Sequence, residues 1–361
     1  MFSKRQTSLV VLALAIARLT CADTITTNRP LPAAEAARRA TLSPGFQLSV
    51  FAAEPDVQQP IAMALDDRGR LWVAECYTYA DVKTNFDLKL RDRIVIFEDS
   101  KGTGHFDKRT VFWDQGKRLT SIAIGFGGVF ATCAPNLIFI PDRNGDDVPD
   151  GPPEVLLDGW NDDMVRHNIV NGLKWGPDGW LYGRHGILAS SAVGKPGTPE
   201  NLRTKLNCAI WRYHPTRKIF DVVCNGTTNP WGHDWDQYGN LFFINTVIGH
   251  LWLGIPGAYY KRMYGEPLTP YRYGLIDQAA DHYHWDTGKS WTESREAGAG
   301  ADVVDDAVPL LTDAVRRDVD RPAIELALGL AIFLAPQRRG VHHRALLLFD
   351  RGADQVAPLG P

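Results

Sequence analysis

Histidines in polar loops beside strand-like runs are the residues of this sequence best suited to chemistry. His167 stands in MVRHNIVNG, just ahead of an alternating segment. An imidazole in such a loop, with an ordinary pKa of about 6.5, suits a general base. Arg184 and His185 close LYGRHG, and Asn229, His233 and Asp234 lie in NPWGHD. His282 and His284 alternate in DHYHW, so in a strand both face one side. Two such ligands alone do not define a zinc site. Brought together around one axis of a fold, these side chains form a polar ring able to bind a ligand or cofactor. For each residue singly, a structural hydrogen bond is the competing role.

DRNGDDVPDG offers a different chemistry. Asp142, Asn144, Asp146 and Asp150 occupy positions 1, 3, 5 and 9 of an oxygen-rich calcium loop. Asp147 replaces the glycine expected after the third ligand, and Pro153 stands where a bidentate Glu belongs. The alternatives are a structural calcium site and a solvated acidic turn.

The elements that must hold these residues are short strands. IAMALDDRGRLWVAE around Gly69, NGLKWGPDGWLYGRHG around Gly179 and GHDWDQYGNLFFINT around Gly239 share one pattern, with a degenerate copy around Gly127. An apolar strand ends on Asp-x-x-Gly or its equivalent, the chain turns, and an aromatic-rich strand leaves. The copies recur every fifty to sixty residues or so, the signature of propeller blades. DRIVIFEDSKGTGHFDKRTVFW supplies intervening strands. The expected fold is therefore all-β, a propeller of six-bladed type, incomplete in this chain because only four copies precede residue 297. An incomplete ring leaves strand edges unpaired.

The formal net charge of −3 gives no field to draw the chain to nucleic acid. Lys4 and Arg5, the apolar run Leu9 to Ile16 and Thr20-Cys21-Ala22 form a signal-peptide pattern over residues 1–22. Cys21 as a lipidation site is the alternative. Residues 23–41 make a linker, and the expected location is periplasmic or extracellular, with membrane association as a variant. Export bears on the cysteines that remain. Cys208 and Cys224 are equidistant from Thr216 in the hairpin NCAIWRYHPTRKIFDVVCNG. They form either a cross-strand disulfide or two buried thiols. The chain holds no haem-attachment Cys-x-x-Cys-His.

The propeller region ends near residue 296. All 11 Trp and 11 Tyr lie at or before Trp291, and residues 297–361 contain no Lys, Asn, Ser, Cys or Met. An out-of-frame reading of GC-rich DNA yields such an Ala/Arg-rich tail, and a native helix is the alternative.

LSPGFQLSVFAAEPDVQQPIAMALDDRGRLWVAECYTY, HNIVNGLKWGPDGWLYGRHG and GTTNPWGHDWDQYGNLFFINTVIGHLW, with RMYGE and ADHYHWDTGKSW, resemble the N-terminal domain of large exported proteins of Planctomycetes and Verrucomicrobia. Those proteins are described as membrane-bound dehydrogenases, often carrying a cytochrome module. A more distant resemblance is to the soluble quinoprotein glucose and sorbosone dehydrogenases. This implies a sugar or alcohol substrate, pyrroloquinoline quinone over the ring axis and a cytochrome as electron acceptor. His167, ahead of Gly172 to Gly179, matches the proton-accepting histidine of those enzymes. Gly226-Thr227-Thr228-Asn229-Pro230 matches a segment that there supplies an Arg, so Thr228 stands in place of a cation. That departure favours a second reading, a non-catalytic propeller that binds carbohydrate or scaffolds an assembly.

Overall fold

The computed structural model describes residues 31–42, 45–81, 83–163, 165–245, 251–263, 265–270, 272–279, 283–284, 289–290 and 345–351. The signal-peptide pattern lies outside them, and so does most of the tail. Within the linker, Ala33–Arg39 forms helix α1, where alanines favour the helix and Glu35 pairs with Arg38 and Arg39. No helix among the described residues is long and apolar enough to cross a membrane.

The rest is β. Strand β1 (Phe46–Ala53) pairs with the far C-terminal β22 (Ala345–Arg351). Sheet 1 follows as β2 (Pro60–Leu65), β3 (Leu71–Glu75), β4 (Asp92–Glu98) and β5 (Lys108–Gly116) in chain order. Sheet 2 repeats this as β6 (Leu119–Ile124), β7 (Gly128–Cys133), β8 (Asn136–Pro141) and β9 (Glu154–Leu157). Sheet 3 begins with β10 (Asn171–Trp175) and β11 (Leu181–His185). A side hairpin of β12 (Ser191–Val193) and β13 (Thr204–Leu206) interrupts it before β14 (Ala209–His214) and β15 (Ile219–Thr227). Sheet 4 holds β16 (Pro230–Trp235), β17 (Leu241–Asn245) and β18 (Leu251–Gly254). β19 (Tyr259–Arg262) then returns to lie parallel on β15, and β20 (Tyr283–His284) pairs with β21 (Lys289–Ser290).

Four consecutive antiparallel sheets of this kind make a propeller-like arrangement. Each repeated sequence pattern forms the first hairpin of a sheet: β2–β3, β6–β7, β10–β11 and β16–β17. The turn chemistry explains the recurrence. Asp66 Oδ1 accepts the backbone N–H groups of Arg68 and Arg70, at 3.0 and 2.8 Å, and Asp236 Oδ1 does the same for Tyr238 and Asn240. Gly69, Gly179 and Gly239 then take left-handed φ values of 74°, 76° and 81°.

Period-2 alternation gives every sheet two apolar faces, and neighbouring sheets share them as seams. Trp72, Ile94 and Phe112 of sheet 1 meet Ile122, Val129 and Ile140 of sheet 2. The opposite face of sheet 2, through Phe130, Leu137 and Phe139, meets Leu181, Trp211 and Tyr213 of sheet 3. Tyr182 and Ile210 turn the other way, onto Leu241, Phe243 and Trp252 of sheet 4. The first strands run side by side in one direction. Thr120 at the start of β6 donates to the carbonyl of Val170 just before β10, and Trp175 at the end of β10 donates to Ile124 O at the end of β6. Their starting ends therefore share one side of the molecule, called the mouth below.

The β14–β15 hairpin decides between the two cysteine readings. His214 opposes Ile219, which centres the loop between Thr216 and Arg217, and a bulge between Ile210 and Trp211 sets Cys224 opposite Ile210. Cys208 precedes the ladder, with φ at 57° and its Sγ 3.4 Å from Thr227 Oγ1. Both cysteines are buried thiols without a disulfide, and burial pushes each up to about 12. The cross-strand disulfide is thus corrected to a pair of inert thiols.

A Cβ at Gly179 meets no atom within 4 Å, so a side chain there costs only backbone strain. Gly179→Val is expected to lower stability by about 1–2 kcal/mol. Chemical denaturation should show this as a lower midpoint with an unchanged slope.

Candidate functional site at the propeller mouth

Polar side chains without partners gather where β10, β11, β16 and β17 meet the mouth. Asn171 opens β10 and lies opposite Arg184 near the end of β11. Tyr182, two residues earlier on β11, packs its ring 4.9 Å from Trp235 and 6.2 Å from His233 of β16. Alternation along β11 puts Arg184 on that same face, toward sheet 4, and turns His185 to the opposite face. Arg184 is 8% exposed and its Nε has no hydrogen-bond partner. Its guanidinium lies directly over Gly172, where a Cβ would fall 1.7 Å from Nη2. With no carboxylate beside it among the described residues, burial alone pushes Arg184 down to about 9.

His233 shares this environment. It is buried, and neither ring nitrogen has a partner. Burial first, and then the charges of Arg184 and Lys174, hold it well below the usual histidine range, so the ring is neutral. Lys174 is committed elsewhere, in an ion pair with Asp234.

A second group adjoins from the start of sheet 4. Asn245 Oδ1 accepts the backbone N–H groups of Thr228 and Asn229, at 3.4 and 3.0 Å. Thr228 O accepts from Ile187 N–H at 2.9 Å, tying this corner to the chain just beyond β11. Thr228 Oγ1, Asn229 Oδ1, Asn245 Nδ2 and Asn171 Oδ1 are all buried and without a partner. Buried polar atoms in such number at one place are what a polar ligand satisfies.

The other sequence-selected residues separate from this corner. His167 lies exposed in a short 3-10 turn, Arg166–Asn168, with Nδ1 3.4 Å from Tyr79 Oη. His185 is fully buried on the other face of sheet 3, its Nε2 3.0 Å from Ser191 Oγ and its Nδ1 unpartnered. His282 lies outside the described residues, and His284 lies in β20 opposite Lys289.

The acidic loop lies at the far end from the mouth, beside the β2–β3 turn, along a groove of about 520 Å³. There Asp142 accepts the backbone N–H groups of Gly145, Asp146 and Asp147. Asp150 accepts from Arg143 N–H, and Asn144 Nδ2 donates to Asp146. The loop closes on itself as successive turns, with Arg70 bridging Asp66 and Asp147. Among the described residues no three His, Cys, Asp or Glu side chains are grouped to hold a metal ion.

Thr228 and Asn245 escaped the sequence reading as ligand-facing residues. Thr228 entered only as a missing cation, and Asn245 only as the last strand residue of the repeated copy around Gly239. The signal that could have found them is position, since both flank the repeated hairpin of sheet 4 at its mouth end.

The fold and this corner define a propeller domain with a polar site at one end of its sheets. A family described as "Domain of unknown function (DUF7133)" matches residues 32–290, and the chain belongs to that family. No curated protein matches it. Among solved structures it is similar to the pyrroloquinoline-quinone-bound aldose sugar dehydrogenase of Streptomyces coelicolor, at 19% identity and a TM-score of 0.42, covering 66% of this chain and 73% of that one. A Thermus thermophilus protein proposed to be an oxidoreductase (glucose dehydrogenase) matches at 18% identity and 0.42, covering 64% and 72%. Virginiamycin B lyase of Staphylococcus aureus matches at 14% and 0.33, covering 58% and 70%. Propellers host unrelated chemistries, so function rests on the site.

His185 yields a pH prediction. Burial lowers it to about 4 in the folded chain, below its unfolded value of about 6.5. The unfolded state binds the extra proton, so this contribution is present above pH 6.5 and is lost as pH falls toward 4. It amounts to about 3 kcal/mol. In His185→Gln the fall in stability between pH 6.5 and 4 should be shallower by one proton, measured as denaturation midpoints against pH.

Proposed function

We propose that this domain is an exported oxidoreductase of quinoprotein type that oxidises a sugar or alcohol at the propeller mouth and passes electrons to a cytochrome. The observation that carries this is the corner of unpartnered buried polar atoms on Asn171, Thr228, Asn229, His233 and Asn245. A desolvated, fixed set of donors and acceptors suits a hydroxylated ligand, because leaving such groups unpaired is costly.

An anionic quinone cofactor requires a cation at the site. Position 228 does not supply one, but Arg184 does from the neighbouring sheet, as a buried guanidinium with no carboxylate partner among the described residues. The residues fit in that respect, with Arg184 and the side-chain amide of Asn245 as the groups that would hold it. Bound there, such a cofactor supplies the hydride acceptor. The chain's own residues supply the rest. His167, exposed and with its Nδ1 3.4 Å from Tyr79 Oη, is the base that takes the substrate hydroxyl proton.

One observation favours the second reading, a carbohydrate-binding propeller without catalysis. His167 stands exposed by Tyr79, whereas the unpartnered corner is buried between sheets 3 and 4.

Dye reduction by the full chain supplied with pyrroloquinoline quinone and calcium, over a panel of aldoses and alcohols, separates the two. The oxidoreductase reading expects turnover that falls by about 100-fold or more in His167→Gln, with sugar binding retained. Sugar binding without turnover in the unaltered chain would establish the second reading instead.

A further inference from the structure

Every buried charge needs a partner, a ligand or a reason to exist. Arg70 shows how this chain ordinarily meets the requirement: its guanidinium side chain is 7% exposed and is bracketed by Asp66 and Asp147. Arg184 is buried to the same degree and has neither a hydrogen bond nor an ion pair among the described residues. Three features show that the position is built. Gly172 takes a left-handed φ of 72°, and only a residue without Cβ leaves room for the guanidinium above it. The nearby cation, Lys174, is neutralised by Asp234, whereas Arg184 keeps a charge that no described residue compensates. His233 adds a buried, neutral ring with both nitrogens open.

We propose that Arg184 and His233 form a receptor for a ligand carboxylate between sheets 3 and 4. This rests on the reading of the mouth as a ligand site, and it specifies what the ligand must carry. The planar fork of a guanidinium matches a carboxylate through two parallel hydrogen bonds. A neutral imidazole can donate a third from whichever nitrogen bears its proton. Charge selects carboxylate over phosphate. One free cation balances the single charge of one inserted carboxylate, and any further carboxylates of a larger ligand can stay outside the buried place, whereas a phosphate dianion carries both charges on the inserted group itself. Two sources carry this group: a polycarboxylate cofactor such as pyrroloquinoline quinone, or a sugar acid as substrate.

The test is calorimetric titration of the full chain with pyrroloquinoline quinone, glucuronate, glucose and inorganic phosphate, repeated with Arg184→Met. The proposal expects at least one of the two carboxylates to bind the unaltered chain, and to bind Arg184→Met more weakly by about tenfold to 100-fold. The carboxylate that responds identifies the source. Phosphate should bind neither protein. Thermal melting supplies a readout independent of the variant's fold, because the responding carboxylate should raise the melting temperature of the unaltered chain more than glucose does. Removing an unpaired buried charge should also make unliganded Arg184→Met melt no lower than the unaltered chain.

The proposal is overturned if neither carboxylate binds or protects the unaltered chain, or if both bind Arg184→Met with unchanged affinity. Dye reduction with glucose that requires His167 and ignores residue 184 would leave the oxidoreductase reading standing while this one fell.

Discussion

Twisted sheets can stand side by side around a common direction only if each is apolar on both faces, and that requirement governs the whole described structure. Every strand in the middle of a seam serves two neighbours at once. Leu181 and Tyr182 are adjacent in sequence, yet one belongs to the seam with sheet 2 and the other to the seam with sheet 4. Large aromatic rings fill the wedge between sheets: Trp160 lies 5.2 Å from Trp211 and 5.9 Å from Phe220, and Phe243, Trp252 and Tyr260 form a second cluster. Burial of this kind contributes about 25 cal/mol per Å² of apolar area, which makes the seams the main source of stability.

The same geometry creates the site. Sheets packed face to face have no apolar partner where a strand begins or ends, so polar residues collect at those ends. At the mouth of sheet 1 the buried carboxylate is internally satisfied. Buried Asp92 accepts from Thr78 N–H, Thr78 Oγ1–H and Leu119 N–H, and burial still raises its pKa. At the mouth of sheets 3 and 4 Arg184, His233, Thr228 and Asn245 keep unused donors and acceptors. The asymmetry between the two ends of one repeated architecture is what distinguishes a structural polar corner from one prepared for a ligand.

Arg184 and His185 show the limits of reading adjacency as proximity. In the sequence they form one dipeptide among several candidates for a single polar ring. In the fold they face opposite sides of sheet 3, and Arg184 lies on the face that packs toward His233. Likewise, Asp142, Asn144, Asp146 and Asp150 have ligand-like spacing, but their oxygens turn inward onto backbone N–H groups of their own loop. Spacing limits what a loop can do, and the path of the backbone decides which atoms its carboxylates meet.

The sequence by itself determined the all-β class, the four repeated hairpins and their turn positions, because these depend on local rules: alternation, an aspartate that caps a turn, and a glycine that accepts positive φ. It also singled out Arg184, Asn229 and His233 among the polar residues at the mouth. Tertiary structure alone decided which of them meet. The Cys208–Cys224 pairing failed through a bulge at Ile210/Trp211, a feature no spacing reveals. Whether a buried cation finds a carboxylate depends on what the neighbouring sheet presents, and the charge of Arg184 acts on His233 of that sheet, a residue about fifty positions further along the chain. Long-range packing sets that distance, and no local pattern in the chain encodes it.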